Sequence, residues 1–319
     1  MRMREVLCFG ELLIDFLCTS FSKEGPLQTN QFTQFPGGAP ANAAVAVAKL
    51  GGEASFLGQI GNDHFGLFLL NAIETYGVNT DMTLIHPTAK TALTFIFLDE
   101  KGERQFSFRR DETADLLIQT TQIREDYFSR RPIVHFCSNT LTQKEIADVT
   151  IHLVQLATKQ NSLISFDVNL RHQLWKSGYA DIDLVNSFVR KSNLVKFSRE
   201  EFLFLARNDE QAYVSECISA GVKALIVTDG PRTITIYGHE GTAAIEPPLV
   251  EAIDTTGGGD AFIGAILFQL SQQPNPDKYC NDLGKLGLLV DFAARCGAIA
   301  VTRQGAFPAF PTQQDLDYE

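Results

Sequence analysis

The sequence predicts an α/β protein, with a mostly parallel central sheet covered by helices on both faces and a small β-sheet lid. Two observations carry this. Short runs rich in aromatic and β-branched residues alternate with helical patterns along most of the 319 residues. Two regions, about 12–36 and 88–112, break the alternation; the first holds no helical pattern and the second reads as a hairpin. No internal repeat, low-complexity tract or linker divides the chain, so one domain is expected over 1–319, with those two regions as its lid.

The elements follow in order. "EVLCFG" reads as the first strand, inside an N-terminus, "MRMREVLCFGELLIDFLC", that mimics a signal peptide. Glu5, Glu11 and Asp15 interrupt its apolar core, which rejects that reading. "FPGGAPANAAVAVAKLGG" (35–52) places Gly37 and Gly38 before Asn42, at the head of an alanine-rich helix. "ASFLGQI" is the next strand; "TALTFIFL", a "DEKG" turn and "RQFSFR" make the hairpin. "PIVHFCS", "LISFDV", "NLVKFS" and "KALIVTD" are further strands. "TQKEIADVTIHLVQLATKQ" is the clearest helix, with Thr142 and Glu145 as a capping-box pattern and Ile146, Val149, Leu153 and Leu156 as one apolar stripe. "DTTGGGDAF" (254–262) opens a helix in which Phe262, Ile263, Ile266, Leu267 and Leu270 recur at helical spacing.

Composition narrows the function. The chain is 45% hydrophobic and 20% charged, with a net charge of -11, so it is a poor general binder of nucleic acid or anionic membrane. No apolar run is long enough to span a bilayer. The six cysteines form no C-x-x-C pair and read as reduced core residues of a cytoplasmic protein. The sequence has no G-x-x-x-x-G-K-[ST], H-E-x-x-H or G-x-S-x-G, and its six histidines show no ligand spacing.

The chemistry concentrates in two stretches. At 254–262, glycines at a helix N-terminus let a phosphate approach backbone amides, so those of Gly257, Gly258, Gly259 and Asp260 would form an anion hole. An acid there repels phosphate unless it acts on the group that attacks it, which suits Asp260 as a general base on a hydroxyl. A glycine-rich turn with a capping Asp would look the same in this stretch alone. At 35–52, the paired glycines and Asn42, with donor and acceptor, suit a polyhydroxylated ligand; close helix packing on Ala43, Ala44 and Ala46 would also call for small residues.

Together "GGAPAN…KLGG…GQIG" and "DTTGGGDAF" resemble the ribokinase-like (PfkB) carbohydrate kinase family, most closely its fructokinase branch. The match runs from Gly10 to Pro311 and implies a ribokinase-like fold. In "GELLIDF" it puts Asp15 on sugar hydroxyls, with Gly37, Gly38 and Asn42. In "FSFRRDETADLL" it aims Arg110 at the substrate, walls the pocket with Phe108 and leaves Arg109 in solvent. "FDVNLR" brings Asp167, Asn169 and Arg171 to sugar or phosphates, although the acid and arginine equally suit a structural ion pair. "NLVKFSREE" gives Lys196, Ser198 and Glu201 to the nucleotide side, with Glu201 organising water around Mg2+ and Glu200 exposed. "VTDG" adds Thr228 and Gly230 beside the nucleotide. Asp254, Thr256 and the loop near Gly305 resemble a monovalent-cation site, implying K+. Thr233 stands where a glycine is usual and Ala294 where asparagine is frequent near adenine, two departures that touch the adenine contact only.

The implied activity is transfer of phosphate from ATP to a sugar, fructose first, with Mg2+ and K+ and with a homodimer through the lid as a further expectation. A 2-keto-3-deoxygluconate kinase or ribokinase of the same family is the alternative, since Arg109, Arg110 and Arg171 also suit an acidic substrate. A silent sugar-sensing relative is the alternative of another class.

Overall fold

The computed structural model describes residues 3–98 and 104–316. In chain order its first elements are β1 (Val6–Phe9), β2 (Leu13–Glu24), β3 (Leu27–Gly37), α1 (Ala39–Lys49), β4 (Ala54–Gly61), α2 (His64–Thr75) and β5 (Thr83–His86). Next come β6 (Leu93–Leu98), β7 (Arg104–Arg109), β8 (Ile133–Cys137), α3 (Lys144–Lys159), β9 (Leu163–Asp167), α4 (Ile182–Val189), β10 (Leu194–Ser198), α5 (Arg199–Leu205) and α6 (Glu210–Ser219). The last are β11 (Ala224–Asp229), β12 (Arg232–Gly238), β13 (Gly241–Ile245), α7 (Gly258–Ser271), α8 (Pro276–Cys280), α9 (Leu283–Val301) and α10 (Gln313–Leu316).

The large sheet runs β13-β12-β11-β10-β9-β8-β1-β4-β5 and is parallel from β11 to β5. β1, β4, β8 and β9 are buried along their whole length, as parallel strands with helices on both faces must be. Alternate residues of β1 feed two cores. Val6 and Cys8 pack with α1, α7 and α9; Leu7 and Phe9 pack with α3, α4 and α5. β1 lies between β4 and β8, where the chain order reverses, and the crevice beyond the strand ends at such a point is where open α/β sheets hold ligands. The antiparallel edge strands β12 and β13 were not anticipated from the sequence.

The small sheet runs β3-β2-β6-β7, so the two expected regions pair with each other, with β2 and β6 parallel. The expected "DEKG" turn lies outside the described residues. Register sorts the side chains. Asp15 pairs with Thr94 and Thr94 with Phe108, which puts acid, hydroxyl and aromatic ring in one row on one face. Phe16 and Phe95 occupy the other face, stacked at 5.1 Å, and Phe32 meets Phe95 edge-on at 5.6 Å.

The expected box at Thr142 and Glu145 does not form. α3 begins after Gln143, with no side-chain cap, because the Thr142 hydroxyl donates to the Asn139 carbonyl instead. The apolar stripe holds: Ile146, Val149 and Leu153 are buried. All six cysteines are free, five of them buried and Cys18 half-buried. Among the described residues no helix is long and apolar enough to cross a membrane.

Candidate active site

α7 starts on a left-handed residue, Gly257 (φ 73°), and presents the N–H groups of its first turn to the crevice. The glycines answer different demands. A Cβ on Gly257 would lie 2.8 Å from the Phe310 ring, and one on Gly258 2.6 Å from Val301 Cγ1 on α9. At Gly259 it would meet Lys196 Nζ at 3.2 Å. Asp254 ties this loop down: Oδ1 accepts from the Thr256 amide (2.8 Å) and Oδ2 from the Gly305 amide (3.0 Å).

Asp260 follows in the first turn. Asn42 Nδ2, from the head of α1, donates to its Oδ2 at 2.7 Å. Burial pushes the Asp260 carboxyl above its ordinary range, while Asn42, Lys196 and Arg171 pull it back. Asp15 is pushed up to about 7, chiefly by burial, with Asp260 and Glu11 adding and Thr94 and Arg171 opposing. Gly37 leaves space for that carboxylate: a Cβ there would sit 2.1 Å from Asp15 Oδ2. Burial likewise raises Glu11, against the pull of Arg110 and Asn139.

These groups surround a 540 Å³ cavity. Leu13, Asp15, Thr94, Ile96, Phe106 and Phe108 of the small sheet form one side; Gly38, Asn42, Asn169, Arg171, Gly257 and Asp260 form the other. A second, more apolar cavity of 360 Å³ holds Thr228, Gly230, Pro247, Val250, Gly258, Gly259, Phe262 and Val301. Ala252 and Thr255 line both, so the glycine loop stands between a polar chamber and an apolar one. Such an arrangement suits a polyol on one side, a heterocyclic base on the other, and an anionic group at the helix terminus between them.

The structure thus brings Asp15, Gly38, Asn42, Phe108, Arg110, Asn169, Arg171, Thr256, Gly257 and Asp260 to the first cavity, and Thr228, Gly230, Gly258 and Gly259 to the second. Other expectations need correction. Arg110 lines the chamber with part of its guanidinium held by protein: its Nε donates to Asp115 Oδ2 (2.6 Å) and its Nη1 to the Asn139 carbonyl (3.0 Å). Arg109 is exposed, as expected. Ser198 and Glu201 form a capping box on α5, and Glu201 Oε1 also accepts from the Leu170 amide, so both carboxylate oxygens hold backbone. Asp167 pairs with Lys196, not Arg171; Lys196 Nζ lies 2.9 Å from both its oxygens, buried beneath the glycine loop. Ala294 is core; Gly297, Ala298 and Val301, further along α9, face the apolar cavity. Thr233 bonds Glu246 on the edge hairpin.

Sequence reasoning missed Glu11, Thr94, Ile96, Phe106 and Asn139 in the chamber. The period-two alternation of β6 and β7 would have found Thr94, Ile96 and Phe106 once Phe108 was placed inward. No sequence signal marks Glu11 or Asn139, which stand just beyond the ends of β1 and β8.

Comparison with known proteins agrees with this geometry. Residues 3–313 match the model of the pfkB family carbohydrate kinases. Probable fructokinase-5 of Arabidopsis thaliana is 36% identical, over 97% of this chain and 95% of its own. Fructokinase-1 of Oryza sativa subsp. japonica is 35% identical, over 99% and 97%. The fructokinase of Xylella fastidiosa, solved with bound ATP, superposes with a TM-score of 0.91 at 37% identity, covering 98% of this chain and 97% of that one. A double mutant of the Vibrio cholerae O395 fructokinase, solved with fructose, ADP and potassium, gives 0.88 at 29% identity, covering 99% and 98%. With the motifs, the two chambers and these full-length matches in agreement, this chain belongs to the pfkB family of carbohydrate kinases.

Proposed function

We propose that this kinase phosphorylates fructose with ATP, giving fructose 6-phosphate and ADP. The observation that carries the reading is Asp260, held by Asn42 at the helix terminus where the polar and apolar chambers meet. Fructose occupies the polar chamber, with Asp15 and Asn42 on its hydroxyls, and ATP extends from the apolar one. Asp260 accepts the proton of the 6-hydroxyl as that oxygen attacks the γ-phosphorus in line and the β–γ bridging oxygen leaves with ADP. The first-turn amides, from Gly257 to Asp260, stabilise charge on the transferring group. The small sheet closes over the sugar as a lid and keeps water from the phosphate.

Among the described residues no three His, Cys, Asp or Glu side chains cluster as a metal cage, so Mg2+ would be held mainly by the phosphates. Each Glu201 oxygen retains a lone pair for a water of that ion. Bound Mg2+ supplies neutralisation of phosphate charge. The convergence of Thr256 and Gly305 on Asp254 supports a K+ site beside the anion hole, and the Vibrio enzyme was solved with potassium. A homodimer through the small sheet is supported by its apolar exposure: Phe21 and Leu27 stand open at the end of the β2–β3 ribbon. Six free cysteines fit the reducing cytoplasm.

One coupled ADP assay across fructose, ribose, glucose and 2-keto-3-deoxygluconate tests the reading. Fructose gives the highest kcat/KM, K+ raises the rate over a bulky organic cation, and light scattering gives twice the chain mass. Preference for another sugar overturns the assignment of fructose.

A further inference from the structure

The "KLGG" that follows the alanine-rich run of α1 belongs to the family motif, yet Lys49 lines neither chamber. Its ammonium is spent on a segment 258 positions further along the chain. Lys49 Nζ donates to the carbonyls of Phe307 (3.0 Å) and Pro308 (3.1 Å). It also stands 5.5 Å from the centre of the Tyr76 ring, and that ring meets Phe307 edge-to-face at 5.6 Å. Two neighbouring carbonyls converging on one cation are fixed relative to the helix that carries it.

The segment they belong to, 302–312, joins α9 to α10 and packs against the glycine turn. Gly305 gives its amide to Asp254 Oδ2. A Cβ on Gly257 would lie 3.3 Å from Ala306 Cβ and 2.8 Å from the Phe310 ring. Phe307 and Phe310 are fully buried. One carboxylate holds both ends of the segment: Asp315 accepts from Arg303 Nη2 and from the amide and hydroxyl of Thr312. Lys49 reaches its middle. Gly257 is the left-handed residue from which α7 starts, so a shift of Ala306 or Phe310 passes directly to the first-turn amides.

α1 therefore addresses the reaction centre from both ends. At its head Asn42 aims Asp260; at its tail Lys49 holds the segment on which Gly257 rests. We infer that Lys49 is a positioning residue for phosphate transfer, acting through Ala306 and Phe310 on the anion hole. This rests on the kinase reading above and adds a residue remote from both substrates to it. The part played is that of a donor and a charge, beyond the packing of the methylene stem on Tyr76. Methionine keeps such a stem and donates nothing, whereas arginine keeps both charge and donors.

The test compares the wild type with Lys49→Met, Lys49→Arg and Val149→Ala, in steady-state kinetics, hydrogen–deuterium exchange and melting curves. Val149 is buried in the opposite core, against α3, and serves as a destabilised control. Lys49→Met lowers kcat by roughly tenfold, since small misplacement of stabilising groups is costly to the transition state. Its KM for the sugar moves by less than about twofold, because the polar chamber keeps its walls. Exchange quickens over 303–311 and also over 254–262, to which Lys49 makes no hydrogen bond among the described residues. Lys49→Arg restores both readings. Val149→Ala melts lower and leaves kcat and exchange over 254–262 near wild type. A Lys49→Met protein that melts lower but keeps wild-type kcat and wild-type exchange over 254–262 reduces Lys49 to a stabilising contact and overturns the inference. An arginine variant that restores neither reading overturns it as well. If a neutral sugar other than fructose is the substrate, the fructose assignment fails and the same comparison on that sugar decides Lys49. If no sugar is turned over, the kinase reading fails, and exchange over 254–262, which needs no substrate, still decides whether Lys49 holds the turn.

Discussion

Asp260 shows how a single residue is prepared by distant ones. Its carboxyl sits in a buried crevice that holds it above the ordinary carboxylate range, and Asn42 limits that rise while aiming one oxygen. As a base it acts when ionised, so kcat/KM falls as pH drops through this raised pKa, and the acid limb of the pH–rate profile lies above the usual carboxylate position. Asp260→Asn lowers kcat by about 10²–10⁴-fold, the range of a positioned proton acceptor, and leaves nucleotide affinity, measured by calorimetry, near the wild-type value. A folded mutant with near-normal turnover would falsify the assignment. Ser198 and Glu201 teach the opposite lesson. Their S-x-x-E spacing is a capping-box signature, and the box forms there, whereas Thr142 and Glu145 share the spacing without the box. The spacing is common to both sites; what separates them is the carbonyl of Asn139, which takes the Thr142 hydroxyl.

At the scale of elements, the site depends on how closely α7 approaches its neighbours. Gly258 lies against Val301 of α9, and Gly264 against α1, where a Cβ would come within 2.5 Å of that of Ala46. Sequence alone leaves Gly258→Ala as a mild change, since alanine suits the first turn of a helix. The contact with Val301 Cγ1 at 2.6 Å makes it an overpacking change instead, costing about 1–3 kcal/mol. Melting temperature and kcat both fall in Gly258→Ala, and Val301→Ala in the same chain restores part of each. A double-mutant cycle reads the coupling; additive losses remove helix contact as the reason for the glycine.

At the scale of the whole molecule, the small sheet brings an acid into a chamber that must bury it. Asp15, with a folded-state pKa of about 7 against 3.8 in the open chain, binds its proton more tightly when folded. The sign follows: the native state holds more protons across this window, so the contribution of Asp15 to stability falls as pH rises from about 4 to 7 and stays low above it. Asp15→Asn therefore stabilises the sugar-free protein little near pH 4 and most above pH 7, and it weakens sugar binding at the same time. Melting curves at successive pH values check the first, and KM for fructose the second. An unchanged stability difference across the range overturns the burial cost assigned to Asp15.

The order of elements, the two regions that leave the helix–strand alternation, and the glycine-and-acid opening of α7 were legible in the chain, because periodicity and turn chemistry are set by neighbours within a few residues. The chemical identity of the chamber was not. Asn42 meets Asp260 across 218 positions, a contact that depends on α1 and α7 packing together. Arg110 and Asp115 are 5 positions apart, yet nothing local tells whether the arginine turns to the sugar or to the acid. Burial decides it: a guanidinium taken out of water must find a carboxylate, and Asp115 meets the Arg110 Nε at 2.6 Å.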